Sequence, residues 1–146
     1  MHYLALFKGD YITAVEFGGK CPTMTIARVE EVGLEGDDGK VKTKGVVWFR
    51  ETPRGFVLNR TNATCIAAMF GDETEDWSGK RITLHAQPVK LGPKTVPGIR
   101  VKGSPDLDRP VVAEVKLPRR KPRKIRLEVT GNGRAESGGR EPGEDG

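Results

Sequence analysis

The feature that most constrains this chain is a change of hydrophobic period. In NRTNATCIAAMFG, Ala63, Ile66, Ala67 and Phe70 recur at i, i+3, i+4 and i+7, which is one stripe of a helix. Asn59, Thr61 or Asn62 can cap its start and Gly71 suits its end. On both sides the pattern alternates instead, as in half-buried strands. Upstream, TMTIARVEEVGLE reads as one long strand. Met24 and Ile26 point one way while Val29 falls on the other parity, so one extra residue near Ala27–Arg28 is needed to restore the face. A β-bulge supplies that residue in a curved sheet. EGDDGK is a turn by composition. In KTKGVVWFRET, Val47 and Phe49 share one face, and Lys44, Val46, Trp48 and Arg50 share the other. PRG turns into a short third strand, FVLN.

Downstream of the helix, the acidic stretch DETEDWSGK leads to alternating Ile82, Leu84 and Ala86. A loop, QPVKLGPKT, then precedes a last strand, VPGIRVK, where Ile99 and Val101 oppose Arg100 and Lys102. Pro97 confines the start of that strand to an edge or a bulge. Near the N-terminus, YITAVEF is either a short helix capped by Asp10 and ended by Gly18-Gly19, or a strand. Three strands, one helix and two strands, with a long bent first strand, predict a mainly β fold: a five-stranded OB-like barrel with one helix between strands three and four. A half-open sheet with one helix and an SH3-like barrel are the rivals.

Composition sets the boundaries. The apolar share is 36%, below the usual figure of about 45–50%, and every aromatic lies at or before Trp77. The apolar periodicity continues to Val101, so the OB-like barrel domain is expected over 1–102. A basic, Pro-rich strap follows over 103–130, in which VVAEVKL and KIRLEV can each form a short strand or dock on the domain. The segment 131–146 holds almost no apolar residue and is expected to be a disordered acidic tail. The formal net charge of +5 divides accordingly: the barrel is slightly basic, the strap strongly so, and the tail acidic.

No apolar run approaches the ~18 residues of a membrane span, and MHYLALFKGD lacks the pattern of a secretory signal. Cys21 and Cys65 read as reduced thiols. The expectation is a cytoplasmic protein without a membrane partner. His2 and His85 have no second ligand at metal spacing, and DETED lacks the carboxylate spacing of a calcium loop and reads as a solvated turn. G-x-S-x-G, P-loop and H-E-x-x-H motifs are absent from the sequence. No catalytic residue, metal or cofactor is therefore expected, and the chain reads as a non-enzyme.

The sequence also resembles a family of small phage and prophage proteins. The resemblance runs over about 10–102, through F-x-E-T at Phe49 to Thr52, G-x-V-L-N-x-T-N-A at Gly55 to Ala63 and Ile66-Ala67. It continues through G-x-x-T-x-x-W-x-G-K at Gly71 to Lys80 and I-T-L at Ile82 to Leu84. It implies a DNA-related role in replication or recombination, in an infected or lysogenic bacterial host, and carries over no binding residue.

The residues point to a ligand independently. On its strand parity Trp48 lies outward between Lys44 and Arg50. An aromatic between cations suits a single strand, with a base stacked on the ring and phosphates on the cations; the alternative is packing under the N-terminal segment or the tail. Lys90, Lys94, Arg100 and Lys102 are expected to join the same face, and Arg119, Arg120, Lys121, Arg123 and Lys124 of RRKPRKIR to grip a phosphate backbone without reading sequence. Asn59 and Asn62 read as helix caps, and Trp77 as a staple of its loop against the core. The expected partner is single-stranded DNA, with RNA as the alternative; a replication or recombination protein bound through an adaptor surface is the second reading.

Overall fold

The computed structural model describes residues 11–36 and 38–131. The Asp10 cap and, save for Gly131, the tail at 131–146 fall outside the described residues. In chain order the elements are β1 (Thr23–Glu35), β2 (Val41–Phe49), β3 (Phe56–Val57), α1 (Arg60–Phe70), β4 (Arg81–Leu91), β5 (Lys94–Ser104), β6 (Val111–Val115) and β7 (Arg123–Val129). Single 3-10 turns lie at Ala14–Phe17 and Thr74–Trp77. YITAVEF is thus one tight turn, ended by Gly18 at φ 56°.

The fold is mainly β with one helix between β3 and β4, as the change of period predicts. The five-stranded OB-like barrel is not formed. The seven strands make one open, mixed sheet in the order β3-β2-β1-β4-β5-β7-β6. Two things account for the difference. β3 has only two residues and pairs only with β2, too little to close a barrel. The strap, in turn, adds strands to the far side: β6 and β7 pair antiparallel, and β7 pairs parallel with β5. Ala113, Val115 and Leu127 are buried, so apolar alternation alone recruits residues 103–130 into the core without a single aromatic. A boundary at 102 therefore cuts through both the core and β5.

Other expectations hold locally. The register of β1 on β2 shifts between Ile26, opposite Phe49, and Arg28, opposite Trp48; this is the expected bulge. Asn59 caps α1, its side chain accepting from the Asn62 N–H at 2.8 Å, and the Gly71 N–H closes the last turn on Ala67 O. Trp77 is buried and its indole N–H donates to Gly71 O at 2.8 Å, tying the acidic loop to the helix end. Phe49 and Phe56 stack in the core beside Ile26, Ile66, Ile82 and Leu84.

The helix is rotated relative to its apolar stripe. Thr61, Asn62, Cys65 and Ile66 are its buried residues, while Ala63, Ala67 and Phe70 are only half-buried. The cause is the Asn62 side chain, which does not cap. Its Nδ2 donates to Ile99 O at 2.9 Å, and its Oδ1 accepts from the Val101 N–H at 3.3 Å. Beside residues 99–101, β5 has β4 on one edge and, among the described residues, no strand on the other, since β7 joins only at Gly103 and Ser104. The amide of Asn62 fills that gap and turns its helical face toward the sheet.

The expected loop QPVKLGPKT is strand almost throughout. β4 and β5 stay in register to Leu91 opposite Lys94, around a two-residue turn of Gly92, at φ 63°, and Pro93. Pro and Gly misled because Pro88 and Pro97 face each other. At a non-hydrogen-bonded rung the missing N–H groups would point away from the pair, and no neighbouring strand among the described residues lies there: β1 pairs with β4 only at Arg81–Thr83.

Two substitutions test this account. Asn62→Ala leaves the Ile99 carbonyl and Val101 N–H without their partner, and is expected to lower unfolding free energy in urea by about 2–4 kcal/mol. Gly103→Ala places a methyl group on the Glu128 carbonyl oxygen and against its backbone nitrogen. It should separate β5 from β7 and cost about 2–4 kcal/mol in the same measurement; an unchanged midpoint for either variant contradicts its assigned contact.

Candidate anion-binding cleft

The parallel pairing of β5 with β7 consists of two rungs, Gly103 opposite Glu128 and Ser104 opposite Val129. Gly103 permits it, because any side chain there meets the β7 backbone. Away from those rungs the strands are not paired, and a cleft of about 320 Å³ lies there. β5 contributes Arg100 and Lys102, and β7 contributes Arg123, Arg126 and Glu128. His85 and Gln87 of β4 and Cys65 of α1 join them, with Val101 and Ile125 as the apolar part of the lining.

Charge in this cleft is unbalanced. Glu128 is its one carboxylate and is held by Arg126 at 2.8 Å. Elsewhere, Arg28 pairs with Glu30, Arg54 with Glu16 and Arg81 with Asp106. Among the described residues, no carboxylate forms an ion pair with Arg100, Lys102 or Arg123. Arg100 donates only to the carbonyl of its neighbour Ile99, at 3.2 Å, and the Lys102 ammonium lies 3.8 Å from the Cys21 sulfur.

The titration of the lining groups follows from this. Burial and then the charge of Arg123 push the Arg100 guanidinium down from its ordinary value, although an arginine stays charged under any ordinary condition. Burial and then Lys102 push His85 down. Burial pushes the Cys65 thiol up, against the pull of Arg100 and Arg123. A half-dehydrated space lined with cations that repel one another is electrostatically suited to an anion.

The cleft gathers part of the sequence-predicted set: Arg100, Lys102 and Arg123. Lys124 is exposed one residue along β7 and does not line it. Arg119, Arg120 and Lys121 are exposed in the β6–β7 turn, where Arg119 has φ 61° and Lys116 Nζ donates to Arg120 O at 2.5 Å. Lys90 and Lys94 are exposed near the end of the β4–β5 hairpin rather than in a loop. Lys44, Trp48 and Arg50 belong to β2 and the residue after it, three strands from β5 in the sheet order.

Trp48 is not an outward platform between Lys44 and Arg50. It is half-buried, with the Arg28 guanidinium 5.5 Å from its ring centroid and the Tyr11 ring at 6.2 Å. Parity misleads because both faces of β2 are covered here: Val46 and Val47 are each fully buried. The segment at Tyr11 and Ile12 runs alongside Gly55 and bonds to it at 2.8 Å, covering the second face. Packing under the N-terminal segment, the alternative reading of Trp48, describes this geometry.

Sequence reasoning missed His85, Gln87, Cys65, Arg126 and Glu128. Arg126 stood within RRKPRKIR, but only the β5–β7 pairing identifies it. A second hollow, of about 260 Å³, is lined chiefly by Ile12, Phe17, Pro22 and Met24 with Glu16 and Lys20, and gathers no excess charge. Among the described residues, no three His, Cys, Asp or Glu side chains are grouped to hold a metal ion, and no helix is long and apolar enough to cross a membrane. Comparisons with protein-family models, with curated proteins and with solved structures found no match for this chain.

His85 gives the cleft a measurable signature. Its folded pKa lies below the ordinary 6.5, so under more acidic conditions the unfolded chain binds a proton that the folded chain does not. Stability is full above 6.5 and falls as pH drops into the window beneath it. Glu51 and Asp106 act lower. Burial pushes both up, but hydrogen bonds from Thr25 and Arg81 outweigh it and leave them below 4.5 and 3.8, so their stabilisation is lost only in stronger acid. Urea unfolding between pH 7 and 5 should show the first loss in the native chain and not in His85→Gln; identical profiles contradict the burial of His85 in this charge.

Proposed function

We propose that the chain is a nucleic-acid-binding accessory protein that takes the phosphates of single-stranded DNA in the cleft between β5 and β7. The observation that carries this reading is the convergence of Arg100, Lys102 and Arg123 without a carboxylate partner among the described residues. Cations held together at a partly dehydrated surface repel, and a phosphate relieves that repulsion. An arginine adds a planar fork that matches phosphate oxygens two at a time. The surroundings favour a chain of phosphates over a single small anion: Arg119, Arg120, Lys121 and Lys124 lie exposed in and after the β6–β7 turn. Backbone binding of this kind carries no sequence preference.

Trp48 has no part in this proposal, because Arg28 and Tyr11 cover it. The resemblance to phage and prophage proteins enters it at one point: it would place the activity in replication or recombination, in the cytoplasm of a bacterial host. No chemical step is assigned to the chain.

Titration of a fluorescent oligonucleotide tests the reading. Three phosphate contacts to a single strand give a slope of log affinity on log salt of about −2, from about −0.7 per contact. Arg100→Gln and Arg123→Gln should each weaken binding about tenfold at low salt, as expected for a lost charged hydrogen bond, and make the slope shallower by about 0.7. Trp48→Phe should leave it unchanged. No binding to DNA or RNA in ~50 mM salt overturns the reading, and retention of an acidic peptide alone assigns the cleft to a protein partner instead.

A further inference from the structure

The β4–β5 hairpin continues well beyond the cleft, and its properties differ from those of the β1–β2 hairpin. From Ile82 to Pro105 the only charged residues are Lys90, Lys94, Arg100 and Lys102, with no Asp or Glu. Residues 28–46, which make the other arm, carry four cations against five carboxylates. Beyond Ala86 and Ile99 no strand among the described residues pairs with either edge of the β4–β5 ribbon, since β1 pairs only up to Thr83 and β7 only from Gly103. A free ribbon ordinarily templates another strand. Here Pro88 and Pro97 stand opposite each other and remove one amide donor from each outer edge, which disfavours strand addition.

We propose that this arm lies in the major groove of a duplex adjoining the strand held in the cleft, so that the preferred ligand is a junction of single- and double-stranded DNA. The proposal rests on the cleft reading. Dimensions fit it. Six residues from Ala86 to Leu91 reach about 20 Å, and a groove about 12 Å wide admits a two-stranded ribbon. The turn at the tip is only two residues, Gly92 and Pro93. Continuity supports it as well. His85 pairs with Arg100, Gln87 with Gly98, Val89 with Val96 and Leu91 with Lys94. One face of the ribbon therefore runs from the cleft cations to Lys94 without meeting a carboxylate. Gly98 lets Val89 close over the strand, since a side chain there would collide with it.

The experiment compares three labelled ligands at ~100 mM salt: a single strand, a blunt duplex, and the same duplex with a single-stranded overhang. The overhang ligand should bind about tenfold more tightly than the single strand. Lys90→Gln/Lys94→Gln, two exposed positions, should lose that gain and keep single-strand affinity within about twofold. Guanine N7 atoms in the duplex next to the overhang should be protected from dimethyl sulfate by the native chain and not by the double variant. Equal affinity for overhang and single strand overturns the arm and leaves the cleft standing. Loss of single-strand and overhang binding together in the double variant makes Lys90 and Lys94 part of the cleft and also overturns it. Tighter overhang binding without N7 protection overturns the groove assignment, and absence of binding to all three ligands removes the cleft reading itself.

Discussion

One buried amide holds the helix, the sheet and the cleft in one arrangement. Asn62 bonds the carbonyl of Ile99 and the N–H of Val101, the two backbone groups that flank Arg100 on the free edge of β5. A strand edge without a partner must find hydrogen bonds or lose stability. Supplying them from a helix fixes the rotation of α1, and that rotation brings Cys65, three residues on, to the wall of the cleft. Arg100 is thereby bracketed on its free edge by Asn62 and paired across the other edge with His85. Its backbone has little freedom to move away from Arg123.

What the sequence made legible was local. The period change at 59–71, the bulge opposite Phe49 and Trp48, the Asn59 cap and the Gly71 end all depend on residues near one another, and all are present. What stayed hidden was non-local. Two rungs of parallel pairing at Gly103 and Ser104 leave no trace in apolar periodicity, yet they decide that the sheet stays open and that the strap joins the core. The prolines of QPVKLGPKT look like a loop because their cost in a sheet depends on which neighbour is missing, and nothing local records that. Asn62 was similarly opaque, since an Asn near a helix start can cap its own helix or reach another element with the same chemistry.

The same limit applies to the candidate residues. Arg100 and Lys102 are candidates from the last strand of the expected barrel and Arg123 from the basic run RRKPRKIR, and their convergence rests on the order of β5 and β7. Trp48 was nominated from strand parity, which holds only when one face of a strand is open. With Val46 and Val47 both buried, parity no longer tells inside from outside. A cation beside an aromatic then marks an intramolecular contact, here Arg28 on the Trp48 ring, as readily as a ligand platform.

Pairing also decides which arginines are left to act on a ligand. Arg28, Arg54, Arg81 and Arg126 each have a carboxylate partner, and exposed pairs of this kind contribute little to stability. Their effect is subtractive: they remove four arginines from the surface that an anion would see. Arg100, Lys102 and Arg123 stand apart from the other cations without an ion pair because they share a cleft, where burial depresses both Arg100 and His85, so the folded chain carries a local electrostatic cost. Gly103 and Asn62 offset it with backbone contacts that have no charge of their own. A cleft built this way is already arranged for the anion proposed above, whose binding need not spend free energy on ordering it. The stability of the β5–β7 junction and the affinity of the cleft are therefore two readings of the same contacts.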